Sequence, residues 1–86
     1  MAAAYRTVVH EKRFSRELHQ IEPNPHRANE ITEGAEWVLS REPYAGIQLA
    51  PKSPVWFLPI GLPGKKLGLY YTFDDETVYF LSISQA

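Results

Sequence analysis

Residues 55–83, VWFLPIGLPGKKLGLYYTFDDETVYFLSI, decide how this chain folds. Three runs within them, VWFLPI, LGLYYTF and TVYFLSI, are rich in β-branched and aromatic residues and read as strands. Gly61-Leu-Pro-Gly64 separates the first pair and Asp74-Asp75-Glu76 the second, and both are turn-forming. The stretch therefore predicts a three-stranded antiparallel meander. Side chains alternate across a strand, so Trp56, Leu58 and Ile60 share one face while Val55, Phe57 and Pro59 share the other. In the second run Leu67, Leu69, Tyr71 and Phe73 oppose Gly68, Tyr70 and Thr72. In the third, Tyr79, Leu81 and Ile83 oppose Val78, Phe80 and Ser82. Pro59 has no N–H to give a ladder, which predicts an edge, a bulge or a stop at Leu58.

Everything upstream reads as cover for one face of that meander. Tyr5–His10 is a first short strand. In EKRFSRELHQIE, Phe14, Leu18 and Ile21 recur at spacings of four and three, the apolar stripe of a helix that Pro23 ends. Asn24-Pro25 starts a second helix, with Asn as cap and Pro in the first turn. Its stripe is Ala28, Ile31, Ala35, Val38 and Leu39, with Trp37 at the edge, and Arg41-Glu42-Pro43 closes it. Residues 44–54 hold Gly46, Pro51 and Pro54 and read as a loop. The order β-α-α-β-β-β predicts a single α+β domain over residues 1–86. In it a helical hairpin packs on one face of a four-stranded, largely antiparallel sheet.

Composition excludes several classes. The chain has 86 residues, no cysteine and a formal net charge of −1. A disulfide scaffold and a thiolate site are therefore out, and the neutral balance argues against a general nucleic-acid binder. The start MAAAY lacks a basic region and apolar core, so no leader and no membrane span is expected, and the location expected is the cytoplasm. Charge is unevenly spread: residues 43–73 hold Lys52, Lys65 and Lys66 and no acid at all. Those lysines are either a solvated rim or a phosphate-steering cluster, if the loop before the meander folds near its turn. Tyr70 is either sheet packing or a stacking and proton-donating side chain beside them. His10, His19 and His26 have no ligand-like pairing, and Asp74-Asp75-Glu76 reads as a turn, so neither metal nor cofactor is expected.

The whole pattern resembles the RelE/ParE superfamily of bacterial toxins. Trp56-Phe-Leu-Pro-Ile60-Gly61 is similar to that family's aromatic-Arg-Leu-Arg-Ile-Gly strand. Gly68 to Ile83 is similar to its Arg-Val-Ile-Tyr-x-Ile-Asp-Asp-Glu-Thr-Val-x-Val-Leu-x-Ile hairpin. The resemblance implies a toxin held by a small antitoxin, with messenger RNA in the ribosome or another cellular component as target. An mRNA interferase of this kind would draw on Lys52, Lys65, Lys66 and Tyr70. The chain departs from the family's pattern where phosphate would be held, because Phe57, Pro59 and Gly68 stand at the positions of three arginines. If Trp56, Leu58 and Ile60 face the helices, an open face of Val55, Phe57, Pro59, Val78 and Phe80 would instead be an apolar partner surface, for an antitoxin or for another copy of the chain; with the register reversed, the patch moves to Trp56 and Leu58. A catalytically inert relative kept as an interaction domain is the remaining alternative.

Overall fold

The computed structural model of the protein describes residues 5–85, so most of the MAAAY start lies outside the described residues. Strand β1 (Thr7–His10) leads into helices α1 (Lys12–Ile21) and α2 (Pro25–Arg41). A 3-10 turn (Pro43–Ala45) and strand β2 (Ile47–Gln48) follow, then β3 (Trp56–Leu62), β4 (Lys65–Phe73) and β5 (Thr77–Gln85). The strands form one five-stranded sheet in the order β1-β5-β4-β3-β2. Only β1–β5 is parallel; the other pairs are antiparallel.

The local signals act as their chemistry requires. The Asn24 side chain accepts from the His26 and Arg27 N–H groups at 3.0 and 3.4 Å, with Pro25 in the first turn of α2. Leu62 pairs with Lys65 across Pro63-Gly64, and Gly64 takes φ 74, a value that glycine reaches without Cβ strain. Asp74 Oδ1 accepts from Glu76 and Thr77 N–H at 2.8 Å each, closing the β4–β5 turn. These two bonds hold its carboxyl below the usual carboxylate range.

The sheet has one more strand than the sequence predicts. Ile47 and Gln48 lie in the expected loop, too few to show a period, yet they pair with Phe57 and Trp56. Two anchors hold this segment down. The buried Tyr71 hydroxyl donates to the Pro43 carbonyl at 2.6 Å and accepts from Gly46 N–H at 3.1 Å. Burial pushes the Tyr71 phenol up. Beyond Phe57, β3 has no partner on that side, and Pro59, with no N–H to offer, falls there.

The core lies between the helices and the sheet. It joins Phe14, Leu18, Ile31, Ala35 and Leu39 to Leu67, Leu69, Tyr71, Val78, Phe80 and Ile83. Val78 and Phe80 are fully buried there, which corrects the expectation that they share the open face with Phe57. Register explains the difference. Phe73 pairs with Val78 and Tyr71 with Phe80, but Tyr70 pairs with Ser82, leaving Leu81 as an extra residue. This β-bulge shifts the alternation by one, so Val78 and Phe80 before it and Ile83 after it all face the helices.

Glu17 completes the sheet at the same place. Strand β1 ends at the His10–Phe80 pair, and past that point its carboxylate stands in for a neighbouring strand. Glu17 Oε1 accepts from Ser82 Oγ at 2.6 Å and from Ile83 N–H at 3.2 Å. The Ser82 bond, more than any other influence, keeps the Glu17 carboxyl below its ordinary value despite partial burial.

Candidate functional site

The helices cover one face of the sheet and leave the other bare. Cross-strand pairing places Phe57 beside Tyr70 and Pro59 beside Gly68 on that outer face. Ile47 joins them as the partner of Phe57, and Val9 as the partner of Tyr79. The Phe57 ring lies across Gly68 and against Tyr70, with ring centroids 5.1 Å apart. A Cβ at Gly68 would overlap that ring. Phe57, Pro59 and Gly68, where the resemblance places arginines, thus carry two apolar side chains and a glycine that the Phe57 ring covers. Ile47 is 61% exposed and Val9 36%, so the apolar surface reaches both edges of the sheet. Among the described residues, Lys66 is the single charged strand residue on this face, and no acid lies on it.

The structure does not bring the candidate lysines together. Lys65 points to the helix side, where its ammonium donates to the Ile21 carbonyl and to Glu22 Oε1, both at 3.3 Å. Burial alone would raise the Glu22 carboxyl; the Asn24 N–H and the Lys65 ammonium outweigh it and hold Glu22 below its ordinary value. Lys52 sits at φ 66 in a turn closed by Ser53 N–H and the Ala50 carbonyl. That turn precedes β3, whereas Lys66 pairs with Gly61 near its far end. At about 3.3 Å per residue, the length of β3 separates them by roughly 20 Å. Lys66 and Tyr70 do share the outer face, but four residues of strand put them about 13 Å apart. Of the proposed partner-binding residues, Phe57 and Pro59 lie on the outer face, and Val55 is half-buried just before β3.

A second apolar surface escapes the sequence pattern because two elements build it. Helix α2 lies to one side of β3, and a groove of about 310 Å³ runs between them, lined by Ile31, Gly34, Ala35 and Val38 on the helix and Leu58, Ile60 and Leu62 on the strand. It continues past Ile31 and Leu62 into a cavity of about 400 Å³ beside Glu22, Arg27 and Lys65. Trp56, Leu58 and Ile60 lie on the helix side of the sheet, packed against the core, and stay half-buried because α2 lies to one side of them. The signal within reach of sequence was the small pair Gly34-Ala35 on the stripe of α2.

His10 is not a free surface side chain. Its ring stacks on Phe80 at 5.3 Å and its Nε2 is 2.7 Å from Glu36 Oε2, joining α2 to β1. No cluster of three His, Asp or Glu side chains among the described residues is placed to hold a metal ion. No helix among them is long and apolar enough to cross a membrane.

Comparison with solved structures finds a similar chain. A chain of the toxin–antitoxin complex RelBE2 from Mycobacterium tuberculosis superposes with a TM-score of 0.76 and 27% identity. The alignment covers 95% of this chain and 99% of that one. The chain has the RelE/ParE toxin fold. No protein-family profile matches the sequence, and no curated protein matches it.

Proposed function

We propose that this RelE/ParE-type chain is the toxin-family partner of a toxin–antitoxin pair and acts through protein contact in the cytoplasm. Its antitoxin is a small protein, and growth inhibition follows when that protein is absent. The observation that carries the reading is the outer face, on a chain that matches a toxin–antitoxin component along almost its whole length. Phe57, Pro59 and Gly68 leave that face without the charge that phosphate chemistry requires, while Val55, Phe57 and Pro59 offer apolar area to a partner segment. The test is co-expression with the adjacent reading frames, with this chain tagged. A small protein that co-purifies with the parent chain and is lost with Phe57→Asp supports the reading; recovery of the chain without any such protein refutes it.

The alternative of an mRNA interferase draws on Lys66 and Tyr70, which share the outer face. Catalysis by them means that Tyr70 protonates the leaving oxygen while Lys66 offsets charge on the phosphate. Induced expression would then yield cut transcripts, and Tyr70→Phe would abolish the cuts. Growth arrest with intact messages leaves protein contact as the mode of action. Harmless expression with unimpaired partner binding would instead mark an inert relative kept as an interaction domain.

A further inference from the structure

From the outer face we infer a second partner for this chain, another copy of itself, stacked face to face when no antitoxin is present. The inference uses the geometry of the face alone and stands or falls apart from the antitoxin reading.

The chemistry of the face selects a neutral, apolar occupant. Phe57, Tyr70, Pro59 and Ile47 form its centre and one flank, and the described strands place no carboxylate anywhere on it. A face with an apolar centre, no acid and its one lysine, Lys66, at one end can meet its own copy, as a twofold contact requires. Two sheets packed this way form a sandwich about 10 Å thick with interdigitated side chains.

Charge at the two ends then chooses between the orientations available. Lys66 lies at the end of the sheet beside the Pro63-Gly64 turn. Asp75 and Glu76 are exposed in the β4–β5 turn at the opposite end. Asp74 is already committed to the N–H groups of Glu76 and Thr77. A twofold axis along the strands would set Lys66 at the same end as the partner's Lys66. An axis across the strands swaps the ends and brings Lys66 of each copy toward Asp75 and Glu76 of the other. Only the second arrangement pairs opposite charges at both ends.

The face measures about 24 Å across the strands and about 20 Å along them. That footprint is below the about 800 Å² per partner of standard stable interfaces and in the range of weak, transient contacts. The dimer is therefore weak and forms at high protein concentration.

Sedimentation velocity of the purified chain over a thousandfold concentration range tests this. The expected result is a shift from the 9.8 kDa monomer toward twice that mass as concentration rises. Ile47→Lys, at a 61% exposed position, should weaken the dimer at least tenfold without changing the circular dichroism spectrum. Lys66→Glu and Glu76→Lys should each weaken it several-fold, and the two together in one chain should restore it. A monomer at every concentration overturns the inference. So does a dimer indifferent to Ile47→Lys, or a double charge reversal no stronger than either single change.

Discussion

Removing the Glu17 carboxylate should cost more than its position on the water-facing side of a short helix suggests. Glu17→Ala deletes the acceptor of Ser82 Oγ at 2.6 Å and of Ile83 N–H at 3.2 Å, where β5 has outrun β1. Each hydrogen bond to a charged acceptor is worth about 1.5–3 kcal/mol, and partial access of water reduces that, so a loss of about 2 kcal/mol is expected. The Glu17 side chain is 25% exposed, which sets the size of that reduction. In a domain of this size the loss corresponds to a fall in Tm of about 10 °C. The effect must also depend on pH. The folded carboxyl titrates below its unfolded value, so its contribution is complete above the unfolded pKa. It disappears as pH falls through the lower, folded one. Urea unfolding of parent and variant at neutral pH and near pH 2.5 measures both points. Glu17→Gln, which keeps one neutral acceptor, should recover about half the loss. A neutral-pH difference below about 0.5 kcal/mol, or one unchanged in acid, would refute the strand-replacing role of this side chain.

Tyr71→Phe should destabilise by about 1–3 kcal/mol, because the Pro43 carbonyl and Gly46 N–H lose a buried partner. Since the folded Tyr71 phenol is shifted upward, its stabilisation holds below the unfolded value and is lost as pH rises through the folded one; alkaline titration of unfolding should therefore be blunted in the variant. Gly46→Ala should be similarly costly, about 1–3 kcal/mol, since the new Cβ meets the Phe57 carbonyl, which cannot swing aside. Gly68→Arg places its Cβ in the Phe57 ring, whereas Phe57→Ala clears the space; thermal melts should show the double variant losing less than the sum of the two. Asn24→Ala should cost about 1 kcal/mol in denaturant unfolding through the cap of α2.

The alternation in residues 55–83 is enough to group the two faces of β3 and β4, because both strands keep period-two spacing, but it leaves open which face turns to the helices. It failed in β5 because a bulge obeys no period: Leu81 is an ordinary strand residue in sequence, and only the pairing of Tyr70 with Ser82 makes it surplus. Strand β2 escaped for a related reason, since its pairing depends on Tyr71, more than twenty positions away, anchoring the preceding turn. Of the site, Phe57, Pro59 and Gly68 were readable by comparison with a strand pattern. The lysine cluster was not, because sequence proximity of Lys65 and Lys66 hides that consecutive strand residues point to opposite faces. Lys65 serves Glu22, and Lys66 faces outward alone.

The parallel pairing of β1 with β5 sets a schedule for synthesis. Helix α1 rests on β5, and β1 finds its neighbour only there, so the first and second elements made must wait for the last strand. During translation Phe14 and Leu18 emerge without the surface that will bury them, since Val78, Phe80 and Ile83 are still unmade. A chain halted before residue 77 lacks β5, so β1 has no strand to pair with, and that contact spans a long sequence separation. Strand β1 and helix α1 therefore join the folded domain only once residues 77–85 have emerged. A partner that recognises the nascent chain earlier would have to bind an extended, unfolded segment.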